Sequence, residues 1–292
     1  MNAARRFAVA LLAAAALPLA VAACGSDDDA DTTAGTAAAT TPAARCTRDQ
    51  LQTLEPGRLT VGTDRPAYPP YFIDDDPTNG RGFESAVAYA IADRLGFARD
   101  EVRWVDVPFN SSYAPGPKSF DFDINQISIT PERRRAVDFS SPYFVAPQAV
   151  VALRGTDAAD ARSLADLREV QLGVQIGTTS LEAARAQIDP TVEPKVFNDS
   201  NDVVRALKQG QVDAIVVDLP SAFYITAAQV EDGVIVGQFA APGGDAWGAV
   251  LARGSPLTAC VSAAIDELRA DGTLRKLERR WMGGAAGAPE LR

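Results

Sequence analysis

Ser128, Thr130 and Arg133 stand close together near the middle of the chain, and their types suit an anion. A guanidinium offers a rigid fork of N–H donors that matches a carboxylate, and hydroxyls beside it can add further bonds. The three lie where an apolar run, Phe120, Phe122, Ile124, Ile127 and Ile129, breaks at Thr130-Pro131. Threonine suits a helix cap, proline the first helical position and Glu132 the first turn, so the spacing predicts a strand followed by a helix start. Free N–H groups at that start would favour an anion, and in open α/β sheets ligands bind at the carboxyl ends of strands. The plainer alternative places Arg133 with Arg134 and Arg135 in a solvated basic run. Two other polar stretches follow apolar strands. Gly177-Thr178-Thr179 reads on its own as a strand-to-helix turn, and Asp218, after Ala214 to Val217, as the cap of a helix beginning at Pro220.

The elements that must position these groups alternate between strand and helix in two blocks, which predicts two Rossmann-like α/β lobes. In the first block, strands at 59–62 and 102–107 flank a helix opened by Gly82-Phe83-Glu84 and stopped by Gly96. A Pro-rich loop, 63–71, follows the first strand, and 109–118 reads as an irregular loop with room for one helical turn. A strand at 148–153 leads to the second block. That block has strands at 170–175, 193–197, 212–217 and 234–236, with helices beginning near Thr179, Asp199 and Pro220. A return strand at 247–251 and helices at 256–270 and 272–281 follow, and 284–292 reads as a frayed tail.

Composition narrows the function. The 292 residues carry a net charge of -10, which disfavours nucleic-acid binding. There is no histidine, so histidine-based catalysis and metal ligation are excluded. Three scattered cysteines do not make a zinc site, and no metal or cofactor is expected. Residues 1–24 read as a secretion signal, with Arg5-Arg6 before an Ala- and Leu-rich run. Val21-Ala22-Ala23-Cys24 resembles the lipobox of bacterial lipoproteins, with Cys24 as the lipidated N-terminus; an ordinary signal peptide with a coincidental cysteine is the alternative. Residues 25–45 hold no large apolar side chain and read as a disordered tether, spanning roughly 25 Å as a flexible coil.

The stretch Gln126-Ile127-Ser128-Ile129-Thr130-Pro131-Glu132-Arg133, followed by Val137-Asp138-Phe139-Ser140 and Pro142-Tyr143, resembles the ITPER signature of bacterial extracellular solute-binding proteins of family 3. These are type II periplasmic binding proteins of polar-amino-acid ABC transporters. The resemblance covers nearly everything after the tether. It implies a discontinuous first lobe, 46–146 and 245–283, with the second lobe, 147–244, inserted, and a hinge near Val145 and Gly243-Gly244. It also brings Cys46 and Cys260 into one lobe, and in an oxidising compartment such a pair tends to be joined; two unpaired buried thiols are the alternative.

The resemblance further implies the ligand, a free amino acid, and the residues that hold it. Arg133 clamps the carboxylate, helped by Ser128 and by the hydroxyls and amides of Thr178 and Thr179. Asp218 resembles the aspartate that pairs the ammonium, and the Gln126 carbonyl could accept a second bond from it. Tyr68 resembles the aromatic that covers the aliphatic part of the ligand, with Asp64 in the same loop; Phe109 and Trp247 are weaker pocket candidates. The chain departs from the family at Gly82-Phe83-Glu84-Ser85-Ala86-Val87, which lacks a second acidic residue, and at the loop holding Tyr113. These changes bear on side-chain specificity. The implied protein is a monomer, lipid-anchored at Cys24 on the outer face of the cell membrane, serving an ABC permease. A secreted dehydratase on the same fold, with Glu84, Asp64 or a lysine as its acid, is the rival reading; a sensor module is a third.

Overall fold

β1 (Leu59–Thr63) is buried along its whole length, as an apolar strand covered on both faces must be. It pairs in parallel with β2 (Val102–Asp106) and with β3 (Phe122–Asp123). β4 (Asp138–Phe139) reaches this sheet through a strand from much later in the chain, β12 (Val250–Leu251), which is antiparallel to both β3 and β4. The order is β2-β1-β3-β12-β4. The computed structural model describes residues 46–241, 244–282 and 288–292, so the expected export signal, Cys24, the tether and Gly243 lie outside the described residues.

Helix α1 (Phe83–Arg94) covers one face of that sheet, with Phe83, Val87 and Ile91 fully buried. Gly82 precedes it at φ 102°, and a Cβ there would strike the backbone of Tyr71, so only glycine lets the chain turn under the Pro-rich loop. α6 (Thr258–Ala270) and α7 (Thr273–Trp281) pack against α1. A disulfide joins Cys46, ahead of β1, to Cys260 on α6.

The second sheet has the order β10-β6-β9-β7-β8 and uses β6 (Gln148–Leu153), β7 (Leu172–Gln175), β8 (Lys195–Phe197), β9 (Ala214–Asp218) and β10 (Gly233–Phe239). β7, β8 and β9 run parallel, whereas β6 is antiparallel to β9 and β10. Alternate residues of β6 serve two cores. Val150 and Ala152 pack with Leu172 and Val216 on one face. Ala149 and Val151 pack with Val203 and Leu207 of α4 (Ser200–Lys208) and Ala222 of α5 (Leu219–Tyr224) on the other. Two short strands that cross between the sheets, β5 (Phe144–Val145) and β11 (Ala246–Trp247), pair as an antiparallel ribbon. The result is two α/β lobes.

The expectation of a frayed tail is corrected for its last residues. Leu291 is buried against Gly237 of β10, whose missing side chain makes the room. The Gln238 N–H donates to Pro289 O at 2.7 Å, and the Leu291 N–H donates to Gln238 O at 2.9 Å. β10 is an edge strand with unpaired backbone groups, and the chain end supplies their partners. Among the described residues, no helix is long and apolar enough to cross a membrane.

Candidate functional site

The run expected as one strand from 120 to 129 pairs as a strand only over β3. It breaks because Gln126 takes a left-handed conformation at φ 49°. Glu84, fully buried in the first turn of α1, holds it there: Oε1 accepts from the Gln126 backbone N–H at 2.7 Å, and Oε2 accepts from its side-chain amide. The Tyr143 hydroxyl donates to the same carboxylate. Ser128 then meets Trp247 in an isolated bridge. The expected helix after Pro131 is one tight turn, Arg133–Arg135, because the chain enters β4 three residues later. Thr130 serves that turn, its hydroxyl accepting from the Arg133 N–H at 3.1 Å.

The basic run divides in this turn. Arg134 and Arg135 are exposed, while Arg133 is only 8% exposed and lines a cleft between the two sheets. Its Nη1 donates to Ser128 O at 2.7 Å and its Nη2 to Gly177 O, in the other lobe, at 2.9 Å. The guanidinium carries five N–H groups, so bonds beyond these two are open to it, one of them with Tyr113. Phe109, the first residue of α2 (Phe109–Ser112), and Tyr113 just after α2 face the guanidinium with ring centroids at 5.7 and 4.3 Å.

Across the cleft, Asp218 ends β9. Although it occupies the cap position of α5, its side chain makes no capping bond, which decides against the helix-cap reading. Its Oδ1 accepts from Gln148 Nε2 at 2.7 Å, and the same amide reaches Asp245 Oδ1 at 3.0 Å. Burial pushes the Asp218 carboxyl up to about 7, and the neighbouring Asp245 charge pushes the same way. Thr179, at the start of α3 (Thr179–Ala183), places Oγ1 3.2 Å from Ser128 Oγ in the facing lobe. The Thr178 hydroxyl is engaged locally: it caps α3 at Leu181 and donates to Gln175 O.

The loop after β1 forms another wall. Asp64 accepts from the Arg65 and Phe109 backbone N–H groups at 2.7 and 3.1 Å, and burial raises its carboxyl. Tyr68 lines the cleft with its hydroxyl buried and unpartnered, and burial raises that group too. Asp199, the cap of α4, adds negative charge beside both. The cavity enclosed by these walls is about 120 Å³, the scale of one small molecule.

Arg133, Ser128, Gln126, Thr178, Thr179, Asp218, Tyr68 and Asp64 all line this one cleft, as does Phe109. Trp247 does not: it is fully buried and packs on Phe144 at 4.9 Å and Tyr71 at 5.6 Å, so it belongs to the core. Glu84 is likewise behind the wall. Sequence reasoning missed Asn125, which lines the cleft at 7% exposure with Nδ2 unpartnered. Asp121, Asp123, Gln126 and Ser128 are polar in the same run, so nothing along the chain singled it out. Asp199, Gln148 and Asp245 were also missed, because their roles come from strand register and loop packing. Among the described residues, no acidic or cysteine cluster could hold a metal.

Two α/β lobes around a cleft that carries a buried guanidinium on one wall and a carboxylate on the other define a type II periplasmic binding protein. The chain belongs to the bacterial extracellular solute-binding proteins, family 3, whose model matches residues 59–284. It is similar to an L-cystine-binding protein of Escherichia coli (strain K12), 29% identical over 231 residues that cover 78% of this chain and 84% of the relative. An arginine-binding extracellular protein of Bacillus subtilis (strain 168) is 28% identical over 232 residues, covering 78% and 87%. Among solved structures, an ancestral arginine-binding protein bound to glutamine matches with TM-score 0.67 at 34% identity, over 78% of this chain and 98% of that one. An ancestral amino acid-binding protein, described as a precursor of cyclohexadienyl dehydratase, matches at 0.64 and 31%, over 77% and 95%.

Proposed function

We propose that this chain is the extracytoplasmic binding protein of an ABC importer and captures one free α-amino acid in the cleft. The observation that carries the reading is the pair Arg133 and Asp218, opposite charges on facing walls of one cavity. A zwitterion's carboxylate meets Arg133 and its ammonium meets Asp218, so both ends are satisfied only when the lobes close about the β5–β11 ribbon. Asn125 Nδ2 is a further carboxylate donor. Asp64 and Asp199, set among Tyr68 and Phe109, favour a cationic side chain; the arginine-binding relatives point the same way. Arg65, the other cation of the wall, is occupied by Asp106 at 2.8 Å.

The proposed anchor is a lipid on Cys24, with residues 25–45 as the tether and a monomeric domain beyond. For the dehydratase reading, Glu84 is turned toward Gln126 and Tyr143 and is absent from the cleft wall, which leaves Asp64 as its acid there.

Calorimetric titration of residues 46–292 with the twenty amino acids tests the reading. One-to-one binding of arginine or lysine, weakened about a hundredfold or more in Arg133→Ala, is expected for a truncated buried charge pair. Absence of binding to every amino acid would overturn it.

A further inference from the structure

Tyr113 belongs to no motif, yet it contacts the central guanidinium and the opposite lobe at once. Its ring centroid is 4.3 Å from Arg133 Cζ, with the plane braced edge-on by Phe109 at 5.5 Å. Its hydroxyl lies 3.0 Å from Gly177 O, the same carbonyl that accepts from Arg133 Nη2. Asn110 Oδ1, closer still, accepts from the same hydroxyl, so its single proton is shared between the two acceptors. The loop that carries it is held from behind, where Ser112 Oγ donates to Phe109 O at 2.7 Å and Lys118 Nζ to Ser111 O at 3.2 Å. Opposite, Gly177 sits at φ 75°, and a Cβ there would collide with Asn110 and stand 2.7 Å from the Tyr113 hydroxyl. The approach is therefore as close as a bare backbone allows.

We propose that Tyr113 is a positioning residue for Arg133 and, through Gly177, an affinity determinant of the cleft. The inference rests on Arg133 being the carboxylate clamp. A guanidinium is itself planar and rigid, but the torsions of its aliphatic stem leave the direction of the fork free. Rotation about Nε–Cζ is slowed further where its N–H groups are held. Stacking on Tyr113, with two of its edges bonded to Ser128 O and Gly177 O, leaves one orientation for the remaining N–H fork. The hydroxyl adds a bond between lobes that forms only when Gly177 is brought up to the loop, so its contribution falls on ligand dissociation.

The test uses two variants and two readouts on the folded domain, with melting curves to check integrity. Arginine-side-chain NMR, without added ligand, measures rotation of the Arg133 guanidinium. It should be slow in the parent and in Tyr113→Phe, and faster by about tenfold or more in Tyr113→Leu. Stopped-flow with L-arginine should show faster dissociation, about fivefold in Tyr113→Phe for the lost neutral hydrogen bond and about thirtyfold in Tyr113→Leu for bond and stack together. Equal guanidinium rotation in the parent and Tyr113→Leu overturns the proposal. So does a loss in Tyr113→Phe as large as in Tyr113→Leu, which would leave the stack without effect. If no amino acid binds the parent, the function proposed above fails, and the rotation measurement still decides the role of Tyr113.

Discussion

Glu84 grips Gln126 at two points, through the backbone N–H at 2.7 Å and through the side-chain amide, and so holds a non-glycine residue in the left-handed region beside the cleft. A left-handed turn without glycine is unfavourable by about 1 kcal/mol or more, and it persists here because a buried acceptor rewards it. With Tyr143 as its third donor, the carboxylate is satisfied by groups that all present hydrogen atoms. Glu84→Gln keeps the shape but turns an N–H₂ toward donors. It should destabilise the domain by about 1–3 kcal/mol, read as a lowered denaturant midpoint at unchanged m-value.

Stability should fall as pH rises from about 4 to about 8. Burial raises Glu84 to about 7 and Asp218 to about 7, while an unfolded carboxyl titrates near 4. Between those values the folded chain holds more protons than the unfolded one, so each rise in pH favours unfolding, and the trend levels above about 7. Asp64, Asp121 and Asp245, also raised by burial, add to it. Glu101 and Asp271, held at about 2 mainly by hydrogen bonds from Arg48 and Thr273 respectively, act in the opposite sense, but only below pH about 4. Melting temperatures from pH 4.5 to 8.5 check this: a flat or rising profile contradicts it, and Glu84→Gln should reduce the slope.

Capture of an amino acid should release protons near neutral pH. An ammonium needs Asp218 ionised, and the free site titrates at about 7, so affinity should rise between pH 6 and 8 by up to about tenfold per unit. Calorimetry at one pH in buffers of different ionisation enthalpy measures the released proton. Asp218→Asn should weaken binding about a hundredfold and abolish the release; unchanged proton release in that variant would assign it elsewhere.

The Cys46–Cys260 disulfide spans 214 positions and ties the start of the first lobe to α6. Cross-linking so long a loop constrains the unfolded chain, worth about 5 kcal/mol in the chain-entropy model. Reduction should lower the melting temperature by roughly 10 °C or more at about 2–4 °C per kcal/mol. Cys46→Ser, Cys260→Ser and the double variant should melt alike in the absence of reductant.

How far the sequence reached differs from residue to residue. The alternation of strand and helix and the match around Gln126 to Arg133 defined two α/β lobes and this family, because hydrophobic period and a local capping pattern are properties of short stretches. The docked chain end was not legible, since Leu291 is buried only because Gly237 leaves room and β10 has an unpaired edge. Asp218 as a cap or a cleft group was undecided along the chain. Its freedom depends on Gln148, brought opposite it by the register of β6 on β9.

By itself, then, the sequence determined the alternation of strands and helices in two blocks, the absence of histidine chemistry and the residue types available to hold a zwitterion. Only the tertiary structure decided which of them face one cavity: Arg133 buried while Arg134 and Arg135 are exposed, Trp247 in the core, and Asn125 and Tyr113 at the site. The physical reason is that a side chain's direction and desolvation are set by contacts between segments far apart in the chain. Local propensity does not carry that information.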